Sequence, residues 1–170
     1  MPQTEAQQRA VRKYREANRE RINADRRKGS SILTRVPTDP VVLAYAAGIL
    51  DGEGSISIVH SSPTSYSLNV TVANTYRPLI EWLVHHFGGT FTRYPATDKW
   101  RERFYWRLHG PNAATLLEAI LPFMVIKRQQ ATLAVELVAL TVGRGSTVSD
   151  AVNVRRAIIK SEIERLNAGR

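Results

Sequence analysis

The chain of 170 residues carries 24 Lys and Arg against 15 Asp and Glu, a formal net charge of +9, with 43% hydrophobic residues and no cysteine. That length suits one compact domain with short extensions, and the missing cysteine excludes a disulfide scaffold, a thiolate metal site, an iron–sulfur cluster and a thiol nucleophile. The polar start, Met1-Pro2-Gln3-Thr4-Glu5, lacks the apolar core of a secretory signal, and the longest apolar run, 41–50, is too short to cross a bilayer. A soluble intracellular protein, cytoplasmic or nucleoid-associated, is expected.

Residues 1–35 hold ten Lys and Arg against four Asp and Glu, a net +6, which leaves only +3 for the rest of the chain. Across residues 9–28 the large apolar residues are Val11, Tyr14 and Ile22, too few to bury a core. This composition fits a solvated tail or a basic, helical arm that neutralises phosphates when it binds nucleic acid. No apolar stripe accompanies the charge, which argues against a membrane surface.

Val36-Pro37-Thr38-Asp39-Pro40 forms a breaker-rich hinge, after which residues 41–50 read as a buried helix capped by Asp39 with Pro40 at its first position. Gly52 and Gly54 are expected to end it. Ser55-Ile56-Ser57-Ile58 then alternates as a half-buried strand, Ser61-Ser62-Pro63-Thr64 turns the chain, and residues 66–72 alternate again. Helical spacing over 78–87 is stopped by Gly88-Gly89. A second hairpin follows, with strands at 90–94 and 103–109 around a charged loop, and then two helices, 112–121 and 127–140, broken at Pro122. Past a linker at 141–146, Ser149 or Asp150 can cap a last amphipathic helix, packed on the domain or on a second subunit. The expected organisation is a basic arm (1–35), an α+β domain of order αββαββα (36–141) with a four-stranded antiparallel sheet, and a linker with a C-terminal helix (142–170).

Strand alternation sorts the sheet into two faces. Ile56, Ile58, Leu68, Val70, Val72, Phe91, Phe104, Trp106 and Leu108 should lie under the helices. Ser55, Ser57, Ser67, Asn69, Thr71, Thr92, Tyr94, Arg103, Tyr105 and Arg107 share the other face, which has no acid. Such a face is either an ordinary wet surface or a nucleic-acid groove in which Arg, Asn, Ser and Thr meet phosphates and base edges. Trp106 is expected in the core and Trp100 in the charged loop, where it could flank a duplex. His85-His86 lies on a helix without HExxH spacing, and a structural or exposed role is favoured over metal binding.

The stretch Ala44-Tyr45-Ala46-Ala47-Gly48-Ile49-Leu50-Asp51-Gly52-Glu53-Gly54 is hard to explain as a plain core helix, because two carboxylates close an apolar segment where unpaired charge is costly. They need a partner such as a metal. Ala44, Ala47 and Gly48 form a small-residue ridge on which a second helix could pack closely, bringing two carboxylate ends to one region. Ala47-Gly48-Ile49-Leu50-Asp51-Gly52-Glu53-Gly54 resembles the LAGLIDADG motif of homing endonucleases, and the resemblance extends over about residues 41–140, including Pro122-Phe123-Met124-Val125-Ile126-Lys127-Arg128-Gln129-Gln130-Ala131.

The resemblance implies a single-motif nuclease that acts as a homodimer on long pseudo-palindromic double-stranded DNA, leaving short 3′ overhangs. Under it Glu53, with Gly52, holds Mg²⁺, for which Mn²⁺ can substitute. Lys127 acts at the scissile phosphate, Asn74 is nearest to the water-positioning residue, and Arg128 is a DNA contact. Ala44, Ala47, Gly48 and Asp51 belong to the subunit contact, with Asp51 supporting the turn. Relatives of this fold also include RNA-splicing maturases that bind intron RNA and non-cleaving DNA-binding regulators, which form the alternative reading.

Overall fold

The computed structural model describes residues 16, 36–62, 65–140 and 148–169, and the fold described here is that of the unit Ile32–Arg170. The expectations for the basic arm, for Pro63 and Thr64 of the first turn and for the linker at 141–146 lie outside the described residues. The order is α1 (Pro40–Glu53), β1 (Gly54–Ser62), β2 (Ser65–Asn74), α2 (Arg77–Phe87), β3 (Thr90–Tyr94), β4 (Arg103–His109), α3 (Gly110–Ile120), a 3₁₀ turn (Leu121–Phe123), α4 (Arg128–Ala139) and α5 (Asp150–Ala168). This is the expected α+β order, including the C-terminal helix.

Local chemistry accounts for most boundaries. The Asp39 carboxylate accepts the Val41 N–H at 2.9 Å and Pro40 opens α1. Ser149 caps α5 by accepting the Val152 N–H. At Gly89 the backbone takes φ +88°, and an added Cβ would stand 2.7 Å from the Arg107 carbonyl oxygen, so the residue between α2 and β3 has to be glycine. The indole N–H of Trp106 donates to the Gly88 carbonyl at 2.7 Å, tying that turn to the middle of β4.

The sheet order is β1-β2-β4-β3, all antiparallel. One face carries Ile56, Ile58, Leu68, Val70, Val72, Phe104, Trp106 and Leu108, all buried against the helices with Leu50, Ile80, Leu83, Leu116, Leu117, Ile120, Met124 and Leu137. At roughly 1.5–3 kcal/mol for each large side chain removed from water, this layer is the main source of stability. Phe91 departs from the expectation. It lies on the same face, opposite Trp106, but is 37% exposed because β3 is an edge strand. The C-terminal helix packs on the domain through Ile159 and Ile163, and the Asn167 side-chain amide donates to the Ile56 carbonyl at 3.0 Å.

The end of α1 differs from the sequence reading for a tertiary reason, whereas the break at Pro122 falls where it is expected. α1 does not stop at Gly52 but continues through Glu53, and Gly54 ends it by donating to the Leu50 carbonyl. Carbonyls in the last turn of a helix lack intrahelical donors, and here the Lys127 ammonium donates to the carbonyl of Asp51 and adds a second bond to that of Leu50. Between α3 and α4, Pro122 lies inside a short 3₁₀ turn, and Met124 is buried behind it.

Candidate nuclease site and nucleic-acid face

Asp51, one helical turn before the sheet begins, accepts three backbone N–H bonds from the segment that leads into α4: Val125 at 2.7 Å and Ile126 at 3.1 Å to Oδ2, and Lys127 at 2.9 Å to Oδ1. A carboxylate at those N–H groups gains from both the hydrogen bonds and the helix dipole. Burial alone would raise its pKa, but the three N–H donors and the Lys127 charge outweigh that and hold the Asp51 carboxyl below its usual value. Lys127 returns the contact. Its ammonium, on a side chain only 9% exposed, donates to the Leu50 and Asp51 carbonyls at 2.7 Å each. The two residues therefore fasten the end of α1 to the start of α4 by reciprocal bonds, an acid on one helix start and a cation on the other helix end.

Glu53 follows on the same turn and is exposed, as is Gly52. Among the described residues no group of three His, Cys, Asp or Glu could enclose a metal ion. One exposed carboxylate with an adjacent backbone carbonyl still fits a Mg²⁺ site of the kind completed by phosphate oxygens and water, because this ion commonly takes only one or two protein carboxylates.

The other sequence-assigned residues fall into distinct places. Asn74 sits at the same end of the sheet as Glu53 but by register shares the helix-side face of Val72 and Phe104, and its Oδ1 accepts the Tyr76 N–H at 2.8 Å, starting α2. Arg128 is exposed and donates to the Pro122 carbonyl at 3.0 Å, so part of its guanidinium is used within its own loop. On α1, Ala44 and Gly48 are exposed, but Ala47 is 0% exposed within the single chain and cannot belong to an outward ridge. The outward face is instead Val41, Ala44, Tyr45, Gly48 and Gly52, which follow the helical repeat. The period alone did not show which side of α1 the sheet would take.

Register confirms that all ten polar strand residues share the open face. Ser55, Thr71, Arg107 and Thr90 form one row across four strands, and Ser57, Asn69 and His109 form the next. Toward Glu53 come Ala73, Tyr105 and Thr92, then Arg103 opposite Tyr94. Thr90 and His109 were missed in the sequence reading, although each has the parity of its strand neighbours. Burial and the adjacent Arg107 charge push His109 below its usual pKa. No strand residue on this face is an acid. His85 is exposed, while the ring of His86 lies 4.5 Å from that of Trp82.

No protein-family model and no curated protein sequence matches the chain. Solved structures do match. The fold superposes on the homing endonuclease I-CvuI in complex with its target with TM-score 0.60 and 21% identity, over 74% of this chain and 82% of that one. The LAGLIDADG homing-endonuclease fold is what this chain adopts. The archaeal intron-encoded homing endonuclease I-Vdi141I, complexed with DNA, matches with TM-score 0.60 and 16% identity over 73% of this chain and 82% of that one. I-SmaMI, bound to an uncleaved DNA target in the presence of calcium ions, matches with TM-score 0.52 and 20% identity over 75% of this chain but 48% of its own length. Within the LAGLIDADG fold, α1 is the motif helix and the Asp51–Lys127 fastening joins it to the helix that follows the second hairpin.

Proposed function

We propose that the chain is a homodimeric, divalent-metal-dependent DNA endonuclease that cuts both strands of a long pseudo-palindromic target and leaves short 3′ overhangs. The observation that carries this reading is the end of the motif helix, where Asp51 and Lys127 are committed to each other's backbone and Glu53 is presented beside an acid-free polar sheet face.

Glu53 and the Gly52 carbonyl would hold Mg²⁺, or Mn²⁺ in its place. When bound, the ion supplies Lewis-acid stabilisation of charge on the phosphate under attack. The chain's own residues do the rest. Lys127, whose ammonium is held at the Leu50 and Asp51 carbonyls at the end of the motif helix, would oppose the negative charge that develops as the phosphodiester is cleaved. Asn74 can contribute its amide nitrogen to orienting the attacking water, its oxygen being used by Tyr76. The open face lies along the duplex, with Ser55, Ser57, Ser67, Asn69, Thr71, Thr92, Tyr94, Arg103, Tyr105 and Arg107 toward phosphates and base edges. Two chains meeting through the exposed Ala44, Gly48 and Gly52 stripe bring two Glu53 carboxylates together, and two such sheets span about two helical turns, on the order of 20 base pairs.

The test is end-sequencing after incubating the purified protein with a complex DNA library in Mg²⁺, with Ca²⁺ and Glu53→Gln as controls. Defined double-strand ends at one approximately palindromic site, absent from both controls, are expected. Full cleavage by Glu53→Gln would overturn the assignment of that residue. Binding to duplex DNA or intron RNA with no ends under any condition would replace the nuclease reading by a regulator or a maturase.

A further inference from the structure

The second hairpin holds an arginine in an aromatic cage. The guanidinium carbon of Arg103 lies 5.6 Å from the centroid of Tyr94, 5.7 Å from that of Trp100 and 5.8 Å from that of Tyr105. Tyr94 and Tyr105 meet edge to face at 4.9 Å. Trp100 is 64% exposed but its backbone is fixed: Thr97 N–H donates to the Trp100 carbonyl at 2.8 Å, and Trp100 N–H donates back to the Thr97 carbonyl and hydroxyl at 3.3 and 3.2 Å.

The neighbouring acid is used elsewhere. Glu102 pairs with Arg93 at 2.6 Å, and Arg93 stands opposite Phe104, on the helix-side face. Among the described residues Arg103 makes no ion pair, so its charge remains on the open face. A guanidinium is planar and weakly hydrated, and it can rest against aromatic rings while its edge N–H groups stay available. Caging it removes rotamer freedom before any ligand arrives, which lowers the entropy cost of binding. The two acceptors on the major-groove edge of guanine, O6 and N7, match that fork. The exposed rings of Tyr94 and Trp100 provide apolar walls, which suit a base edge better than a hydrated phosphate.

Position along the duplex follows from register. Glu53 directly precedes Gly54, which pairs with Val72, and Val72 pairs with Trp106. Arg103 is thus two strands across and about two residues beyond the level of Glu53. At ~4.8 Å per strand and ~3.4 Å per residue, their backbones are roughly 12 Å apart. At about 3.4 Å per base pair, that corresponds to within about four base pairs of the cut. We infer that Arg103, held by Tyr94, Trp100 and Tyr105, is a specificity-determining residue that reads the major-groove edge of a guanine near the scissile phosphate, an inference that rests on the nuclease reading above.

The experiment is selection of bound duplexes from a randomised DNA library in Ca²⁺ by the full chain and by Arg103→Lys, Arg103→Ala and Trp100→Ala. Sequencing gives the preference at each position, and titration gives the salt slope on the selected site. The wild type should require guanine at one symmetry-related pair of positions, each within about four base pairs of a cut. Both Arg103 variants should weaken that preference by about 5- to 100-fold at that pair alone, with a smaller loss for Trp100→Ala. Unchanged preferences, with affinity falling uniformly across sequences and a salt slope reduced by about one, would make Arg103 a phosphate contact and overturn the inference. Enrichment of no duplex by the wild type would instead refute the nuclease reading itself. If thermal melting shows that Arg103→Ala does not fold, Arg103→Lys and Trp100→Ala decide the matter.

Discussion

Replacing Asp51 by alanine removes the acceptor for the N–H groups of Val125, Ile126 and Lys127. Hydrogen bonds to a charged acceptor are worth about 1.5–3 kcal/mol each, but water can replace the acceptor at the two exposed donors, so a total loss of about 2–4 kcal/mol is expected. Against a domain stability of about 5–15 kcal/mol that is a large fraction. At ~2–4 °C per kcal/mol for a domain of this size, Tm should fall by about 4–16 °C at pH 7, read by circular dichroism or calorimetry. The dependence on pH supplies a second readout. The Asp51 carboxyl is lower in the folded chain than in the unfolded one, so its stabilisation is complete above the unfolded value near ~3.9 and is lost as pH falls through the folded value. The gap in Tm between wild type and Asp51→Asn should therefore be widest near neutrality and close below about pH 4. An Asp51→Ala protein that melts with the wild type at pH 7, or a gap that widens in acid, would refute the reasoning.

Gly54→Ala should lower stability by about 1–3 kcal/mol through overpacking, because the new Cβ would stand 2.7 Å from the Leu50 carbonyl oxygen and 2.8 Å from its Cα; an unchanged urea midpoint would contradict this. Chelating divalent cations should stop cleavage while leaving Tm unchanged, since no group of three metal-ligating side chains occurs among the described residues; a drop in Tm with EDTA would point to a structural ion. Removing residues 1–35 should weaken duplex binding about equally for all sequences and flatten the salt dependence, as expected when Lys and Arg release counterions from phosphates; an identical salt slope would leave the arm without a role in binding.

Much of the sheet was legible because a strand turns every second side chain to the same face. Once the strands at 54–62, 65–74, 90–94 and 103–109 are placed, parity alone divides Ile56 from Ser57 and Trp106 from Arg107, and the pairing register bears out that division. The motif at 44–54 was legible as well, because two carboxylates closing an apolar run have no local explanation. Phe91 shows where parity fails. It gives the face but not the depth, and depth depends on whether a helix reaches the edge strand.

The element order, the polar face and the residues that close the motif helix follow from periodicity or from a local cap, and so were readable along the chain. What those residues contact was set by packing. Ala47 turned inward and Gly48 outward because the sheet covers one side of α1. Asp51 and Lys127 lie 76 positions apart, and no pattern in the chain states that one will hold the backbone of the other. Likewise, the aromatic cage of Arg103 joins Tyr94, Trp100 and Tyr105 through a loop whose closure depends on backbone hydrogen bonds. Local preferences act over a few residues, whereas hydrogen bonds and ring contacts across the fold depend on distances fixed only when the chain packs.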